Sequence, residues 1–188
     1  MDQLDDQRAM TESIETPRLL LRRPLAADAM ALRSLFCSEQ VKRYLGGALS
    51  TQAAQERVAR LFHAWEDPKE GRWGEWVICE KGSDELLGIC SLGWFETEIE
   101  VAYMQTPTVW GRGYATEAAR ACLSYGFEKL QLDRIIGVTQ EANRRSQHVL
   151  EKVGMHHVGN LWKWEAPQRL YELTRVEWLC KQRQLETM

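Results

Sequence analysis

Residues 108–130 constrain this 188-residue chain more than any other stretch. Gly111 and Gly113 flank Arg112, and behind them Ala115, Ala118, Ala119, Cys122, Leu123, Gly126, Phe127 and Leu130 recur at i, i+3, i+4, i+7, i+8, i+11, i+12 and i+15. That period is one face of an amphipathic helix, so the glycines turn the chain into a helix N-terminus. In such a turn successive backbone N–H groups converge on one point, where the helix dipole adds positive potential, and a phosphate fits there. A turn that needs only the glycines' conformational freedom has the same spacing. Position 116 is Thr where a dinucleotide-binding fingerprint has its third glycine, and the preceding runs are antiparallel in pattern, so a Rossmann reading fits poorly.

Those preceding runs are residues 76–79 and 86–92, separated by the turn-rich Lys81-Gly82-Ser83-Asp84, and residues 100–104, which follow Glu96-Thr97-Glu98. Together they predict an antiparallel meander over 76–104. Upstream, residues 18–22 read as a short strand that Pro24 closes. A helix capped by Asp28 and carrying Ala29, Leu32, Leu35 and Phe36 follows, then a second piece with Val41, Tyr44 and Leu45 reaching Gly46-Gly47. Ser50 caps a third helix whose stripe is Ala54, Val58, Leu61, Phe62 and Trp65, ended by Pro68 and Gly71. Downstream, 134–139 reads as a buried strand, 142–153 as a helix closed by Gly154, and 158–164 and 169–174 as two last strands. On that last reading Trp162 and Trp164 share a strand face, and most of the eight tryptophans belong to the core.

The domain organisation is a flexible polar lead-in over 1–15 and a single domain over 16–188. Lys and Arg number 24 against 27 Asp and Glu, a formal charge of −3 that provides no field for a polyanionic backbone, so nucleic acid is not expected as a partner. No apolar run approaches the ~20 residues a membrane-spanning helix needs, and the acidic N-terminus lacks a signal peptide's apolar centre, which places the protein in the cytoplasm. The five cysteines are odd in number and contain no C-x-x-C pair, while His156 and His157 point to opposite faces of a strand, so neither a disulfide framework nor a metal site is assigned. Asn143 and Ser146, three apart at a helix start, share one face and can reach one ligand; helix capping accounts for the same pair.

The stretch Glu100-Val-Ala-Tyr-Met-Gln-Thr-Pro-Thr-Val-Trp-Gly-Arg-Gly-Tyr-Ala-Thr-Glu-Ala resembles the acetyl-CoA signature of the GNAT N-acetyltransferase superfamily. Thr16-Pro-Arg-Leu-Leu-Leu-Arg, Leu132-Asp-Arg-Ile, Asn143-x-x-Ser146 and Val149-Leu-Glu-Lys-Val-Gly-Met155 resemble its branch of ribosomal-protein-alanine N-acetyltransferases. The resemblance implies an α/β (α+β) fold: a mixed, mainly antiparallel central sheet flanked by helices, with a strand pair splayed near Met104. It implies acetyl-CoA as co-substrate and no metal, with the pyrophosphate on the amides of Trp110, Gly111, Arg112, Gly113, Tyr114 and Ala115 and the pantetheine arm on Met104, Gln105 and Asn143. Ser146 is then placed to protonate the departing thiolate, and Glu100, with Glu98 or a water relay as alternatives, takes the proton of the acceptor amine. Thr108 departs from the Gln or Arg that the signature prefers, and Glu117 reads as structural.

The expected acceptor is a protein or peptide N-terminal amine. A small amine such as a polyamine, an amino acid or an aminoglycoside is the enzymatic alternative, and a non-catalytic acyl-CoA-binding sensor the alternative of another class. Tyr171 is expected to line the acceptor pocket, and an isologous homodimer through a late strand or an aromatic patch is a further expectation.

Overall fold

In the computed structural model, which describes residues 13–66 and 74–186, the apolar runs pair into one eight-stranded sheet. Its strands are β1 (Ile14–Glu15), β2 (Leu19–Arg22), β3 (Gly74–Glu80), β4 (Leu86–Phe95), β5 (Glu98–Gln105), β6 (Arg134–Gln140), β7 (His156–Lys163) and β8 (Ala166–Thr174), in the spatial order β1-β2-β3-β4-β5-β6-β8-β7. Every neighbouring pair is antiparallel except β5 and β6. That parallel pair meets at one register position, Glu100 opposite Ile136, whereas β4 stays paired with β5 from Phe95–Glu98 through to Gly88–Gln105. The sheet therefore forks at Glu100, and Val101 to Gln105 hold one neighbour only, which is the splay expected near Met104.

Among the described residues six α-helices cover the two faces: α1 (Ala29–Cys37), α2 (Glu39–Lys42), α3 (Thr51–Glu66), α4 (Tyr114–Ser124), α5 (Arg144–Lys152) and α6 (Arg175–Glu186). Leu32, Leu35, Phe36, Val58 and Leu61 of α1 and α3 pack on Val77, Cys79 and Ile89 of the sheet. On the opposite face Ala118, Ala119, Cys122, Leu123 and Phe127 meet Leu19, Trp76, Ile78, Leu92 and Val101, so the stripe read from the sequence is the buried one. Strand alternation divides β5 between these layers: Val101 and Tyr103 face α4, and Met104 faces α1 and α3.

Several local expectations are corrected. The Asp28 side chain does not cap α1; it accepts from Arg22 Nη1 at 2.7 Å, Arg22 Nη2 at 3.0 Å and the Leu25 amide at 2.6 Å, because a charged, partly buried guanidinium offers a stronger partner than a helix amide. Ser50 does cap, accepting from the Ala53 amide at 3.2 Å. The helix read as running to Leu130 stops at Ser124 and continues as a π turn over Tyr125–Lys129, where a Cβ on Gly126 would sit 2.6 Å from Ile135 Cδ1. Trp164 does not extend β7 beside Trp162; with Glu165 it forms the β7–β8 turn, at φ 52° and 58°. Of the seven described tryptophans only Trp76 and Trp178 are buried, so the core holds a minority.

Two elements lacked any periodic signal: β1, whose Ile14–Glu15 falls inside the expected lead-in, and α6. Residues 1–12 of that lead-in, and the helix-ending Pro68 and Gly71, lie outside the described residues. Among the described residues no helix is long and apolar enough to cross a membrane.

Candidate active site

The glycine turn closes one end of the fork. A short 3-10 turn, Pro107–Val109, leads from β5 to Gly111 and Gly113, whose φ values of 80° and 79° are left-handed and favour glycine. No side chain caps the start of α4, and the first amides of a helix have no acceptor within it, so these N–H groups face outward beside Gly111, where a Cβ would meet nothing within 4 Å. The Trp110 indole folds back and donates from Nε1 to the Gln105 carbonyl at 3.0 Å, with the Arg145 guanidinium 5.4 Å above its ring. Arg145 thus joins the exposed Arg112 beside the turn; no sequence pattern singles it out. Thr108, at the signature's departure, bonds its hydroxyl to that of Thr106 at 3.0 Å.

The Thr16-Pro-Arg18 stretch clamps this turn in place. Glu117 accepts from Thr16 Oγ1 at 2.6 Å, the Arg18 amide at 2.9 Å and Arg18 Nε at 2.6 Å, and Arg18 Nη1 donates to the Arg112 carbonyl at 2.9 Å. Burial pushes the Glu117 carboxyl up, but those bonds outweigh it and hold it below the usual carboxylate range. Its structural reading thus acquires a mechanism. Glu117→Gln is expected to lower stability by about 2 kcal/mol and the melting midpoint by roughly 4–8 °C at neutral pH. Because the native value is depressed, this contribution is present above the ordinary carboxylate range and is lost as pH falls through the native value. Melting curves from pH 7 down to 3 should show the two proteins converging.

Glu100 and Ser146 stand on opposite sides of the fork. Glu100 Oε1 accepts from the Val138 amide at 3.2 Å, an N–H of β6 just past the last paired position. Burial raises its carboxyl to about 7, partly countered by that bond and by Lys163. Glu100 also lines a cavity of about 160 Å³ on the α3 face, together with Arg57, Glu75, Ser91, Trp94 and Ala102. Glu98, the alternative base, instead pairs at the exposed start of β5 with Arg134, whose Nε lies 3.3 Å from Oε2.

On the α4 and α5 face, Asn143 Oδ1 accepts from the Ser146 amide at 3.2 Å, so the capping reading of this pair holds geometrically. The Ser146 hydroxyl lies 3.0 Å from the Tyr103 hydroxyl, which also donates to the Ser146 carbonyl at 3.1 Å. Burial pushes the Tyr103 phenol well up, so it stays protonated and acts as a donor. Tyr103 falls within the signature stretch, and its alternation opposite Glu100 along β5 was the available signal. Tyr171 does not line the cavity beside Glu100: it is fully buried in the α4-side core, with its hydroxyl 3.4 Å from Glu151 Oε1. Cys122 is fully buried against Cys90, and burial raises its thiol well above the ordinary value, which suits it poorly as an acyl-carrying nucleophile.

A sheet forked beside an uncapped glycine turn leaves an opening whose free backbone amides suit an extended ligand that carries a phosphate. The buried Gln105 Nε2 at the end of β5, without a hydrogen-bond partner among the described residues, fits that use, since an amide-bearing arm laid along β5 would supply its acceptor. Comparison with known proteins gives the particular family. A profile described as "Acetyltransferase (GNAT) domain" matches residues 18–156. The uncharacterized protein YkkB of Bacillus subtilis is 34% identical over 164 residues, 84% of this chain and 92% of its own. The uncharacterized N-acetyltransferase YoaA of the same organism is 31% identical over 153 residues, 79% and 85% of the two chains. A crystal structure of a GNAT-family acetyltransferase from Bacillus anthracis superposes with a TM-score of 0.76 at 24% identity, over 88% of this chain and 100% of that one. The chain belongs to the GNAT acetyltransferase family and is an acetyl-CoA-dependent acetyltransferase.

Proposed function

We propose that the chain acetylates a primary amine, with the N-terminal amine of a protein or peptide as its acceptor. The observation that carries this reading is the placement of a proton acceptor and a proton donor on opposite faces of one fork. When bound, acetyl-CoA supplies an acetyl group already activated as a thioester. The amides of Gly111, Gly113, Tyr114 and Ala115 at the N-terminus of α4 hold its pyrophosphate, those of Trp110 and Arg112 being already bonded to the Pro107 and Val109 carbonyls, and Met104, Gln105 and Asn143 hold its pantetheine arm. Arg112 and Arg145 add positive charge beside the turn.

A simple alkyl amine is mostly protonated at neutral pH and must lose a proton to become nucleophilic. Glu100 faces the cavity through which the acceptor enters, and with a value of about 7 it is half ionised at neutrality, where a base both exists and retains basicity. Ser146, across the fork, passes its hydroxyl proton to the departing sulfur and is reprotonated from solvent, and the Tyr103 hydroxyl, 3.0 Å from its Oγ, holds the Ser146 side chain in position.

Ser146→Ala is expected to lower kcat about 10²-fold with acetyl-CoA affinity nearly unchanged. Tyr103→Phe, as a positioning change, should lower kcat about tenfold and leave KM for both substrates unaltered. Stopped-flow turnover with direct cofactor titration checks both, and a Ser146→Ala protein at full speed removes Ser146 from the mechanism. The decisive test is CoA release from acetyl-CoA across Ala-, Ser- and Met-initiated peptides, polyamines, amino acids and aminoglycosides. Turnover of the peptides above the small amines is the expected result. Tight acetyl-CoA binding with silence across the whole panel overturns the reading.

A further inference from the structure

The cavity beside Glu100 contains a second polar arrangement that proton removal alone does not use. Arg57 reaches from α3 to Glu75 on β3, with Nη2 2.6 Å from Oε2 and in shorter contact with Oε1. The guanidinium lies 5.1 Å over the Phe36 ring, and the Glu75 carboxylate is 6% exposed. Both contacts therefore fall on one terminal nitrogen. The other, Nη1, is buried and meets no hydrogen-bond acceptor among the described residues, although Arg57 lines the same cavity as Glu100. A buried guanidinium N–H without an acceptor is strongly disfavoured unless a ligand provides one.

We infer that Arg57 Nη1 binds an oxygen of the acceptor, so that the acceptor carries a carbonyl or carboxylate next to its amine, as an α-amino acid residue does and a polyamine does not. This rests on the transfer reading above and narrows its substrate class. The size of the cavity brings the two groups together: about 160 Å³ is room for roughly five waters, so an amine at Glu100 and an oxygen at Arg57 belong to one small unit. Charge then chooses between the two oxygens. Glu75 already neutralises Arg57, so a neutral peptide carbonyl completes Nη1 without adding an unmatched negative charge beside Glu100, which a free carboxylate would do.

The test uses the full chain with acetyl-CoA and compares alaninamide, an Ala-initiated tripeptide, free alanine, n-propylamine and spermidine, with rates expressed per neutral amine. The kcat/KM of alaninamide and of the tripeptide is expected to exceed that of n-propylamine and spermidine by 100-fold or more, because an analogue lacking the oxygen leaves Nη1 unpaired. Free alanine above alaninamide keeps the inference and assigns the oxygen to a carboxylate. In the double variant Arg57→Met, Glu75→Gln, which removes the ion pair without leaving either charge buried alone, the alaninamide-to-propylamine ratio should collapse at least 30-fold. Calorimetry with CoA present should show alaninamide binding weakened at least tenfold in that variant, and a retained thermal midpoint confirms that it folds. Propylamine or spermidine used as well as alaninamide by the wild-type chain overturns the inference and leaves acetyl transfer standing. Bound acetyl-CoA with no turnover of any of the five overturns the transfer reading itself.

Discussion

Replacing Glu100 by Gln is expected to lower kcat by roughly 10²–10³-fold while making the protein more stable at pH 8. The two effects have one cause. Burial disfavours the ionised carboxylate and raises it to about 7, so the native state holds a proton that the unfolded chain, with an ordinary carboxyl near 4.5, has released. Between those two values the native state binds more protons than the unfolded one, and stability falls as pH rises. Above about 7 the full cost of the buried charge, roughly 3 kcal/mol, is present. The amide of the Glu100→Gln variant keeps an oxygen to accept from the Val138 N–H but carries no charge to bury.

Chemical denaturation at pH 5 and pH 8 should therefore show the variant gaining on the wild-type protein at the higher pH. The kcat/KM of the wild-type protein, expressed per neutral amine, should rise through about pH 7 and level off as Glu100 ionises, and in the variant that limb should vanish. A Gln variant that keeps both the rate and the limb moves the proton to another group. One that loses rate without gaining relative stability at pH 8 refutes the burial account of the carboxylate.

Legibility of the fold followed where side chains repeat. The α4 stripe announces itself because one helix face is buried against the sheet, and the β3–β5 meander because strands covered by helices on both faces read as near-continuous apolar runs. The same rule hid α6, whose apolar positions are too scattered to show a period, and β1, where two residues are too few for one. The tryptophans misled for a related reason: size and apolarity predict burial on average, but Trp162 lies on the outermost strand, which has a partner on one side only, and Trp164, in the turn after it, meets Phe95 edge-on and stays more than half exposed. In the site, the glycine turn and the spacing of Asn143 and Ser146 were readable as local patterns, and Glu100 only through the resemblance to the family signature. Arg57, Glu75 and Tyr103 were not, since each acquires its meaning from a residue far along the chain, 18 positions away for Arg57 with Glu75 and 43 for Tyr103 with Ser146. Glu117 lies between these cases: its place in the first turn of α4 was legible, but not that Thr16 and Arg18 would meet it from 101 and 99 positions away.

Gly88→Ala is the second large effect, expected to lower stability by about 3 kcal/mol and the melting midpoint by roughly 6–12 °C, and to weaken acetyl-CoA binding at least tenfold. Gly88 lies on β4 directly opposite Gln105, and a Cβ there would overlap the Met104 carbonyl oxygen and stand 2.8 Å from Gln105 Cα. Both obstacles are backbone, so no rotamer relieves them, and β5 must move. Yet β5 cannot move freely at that end, because the Thr106 amide bonds the Leu87 carbonyl at 2.8 Å and Trp110 Nε1 bonds the Gln105 carbonyl at 3.0 Å. Displacing the strand therefore breaks the connection from the fork to the glycine turn, and the two parts of the proposed cofactor site lose their registration. Gly159→Ala is the matched control: it also adds a methyl to a strand glycine, but on β7, where a Cβ meets nothing within 4 Å, and it should leave both midpoint and cofactor affinity close to the parent values. Thermal melts and acetyl-CoA titrations of the pair separate the readings. If Gly88→Ala loses stability but binds acetyl-CoA as the parent does, then Met104 and Gln105 do not hold the arm, and the cofactor is carried by the turn alone.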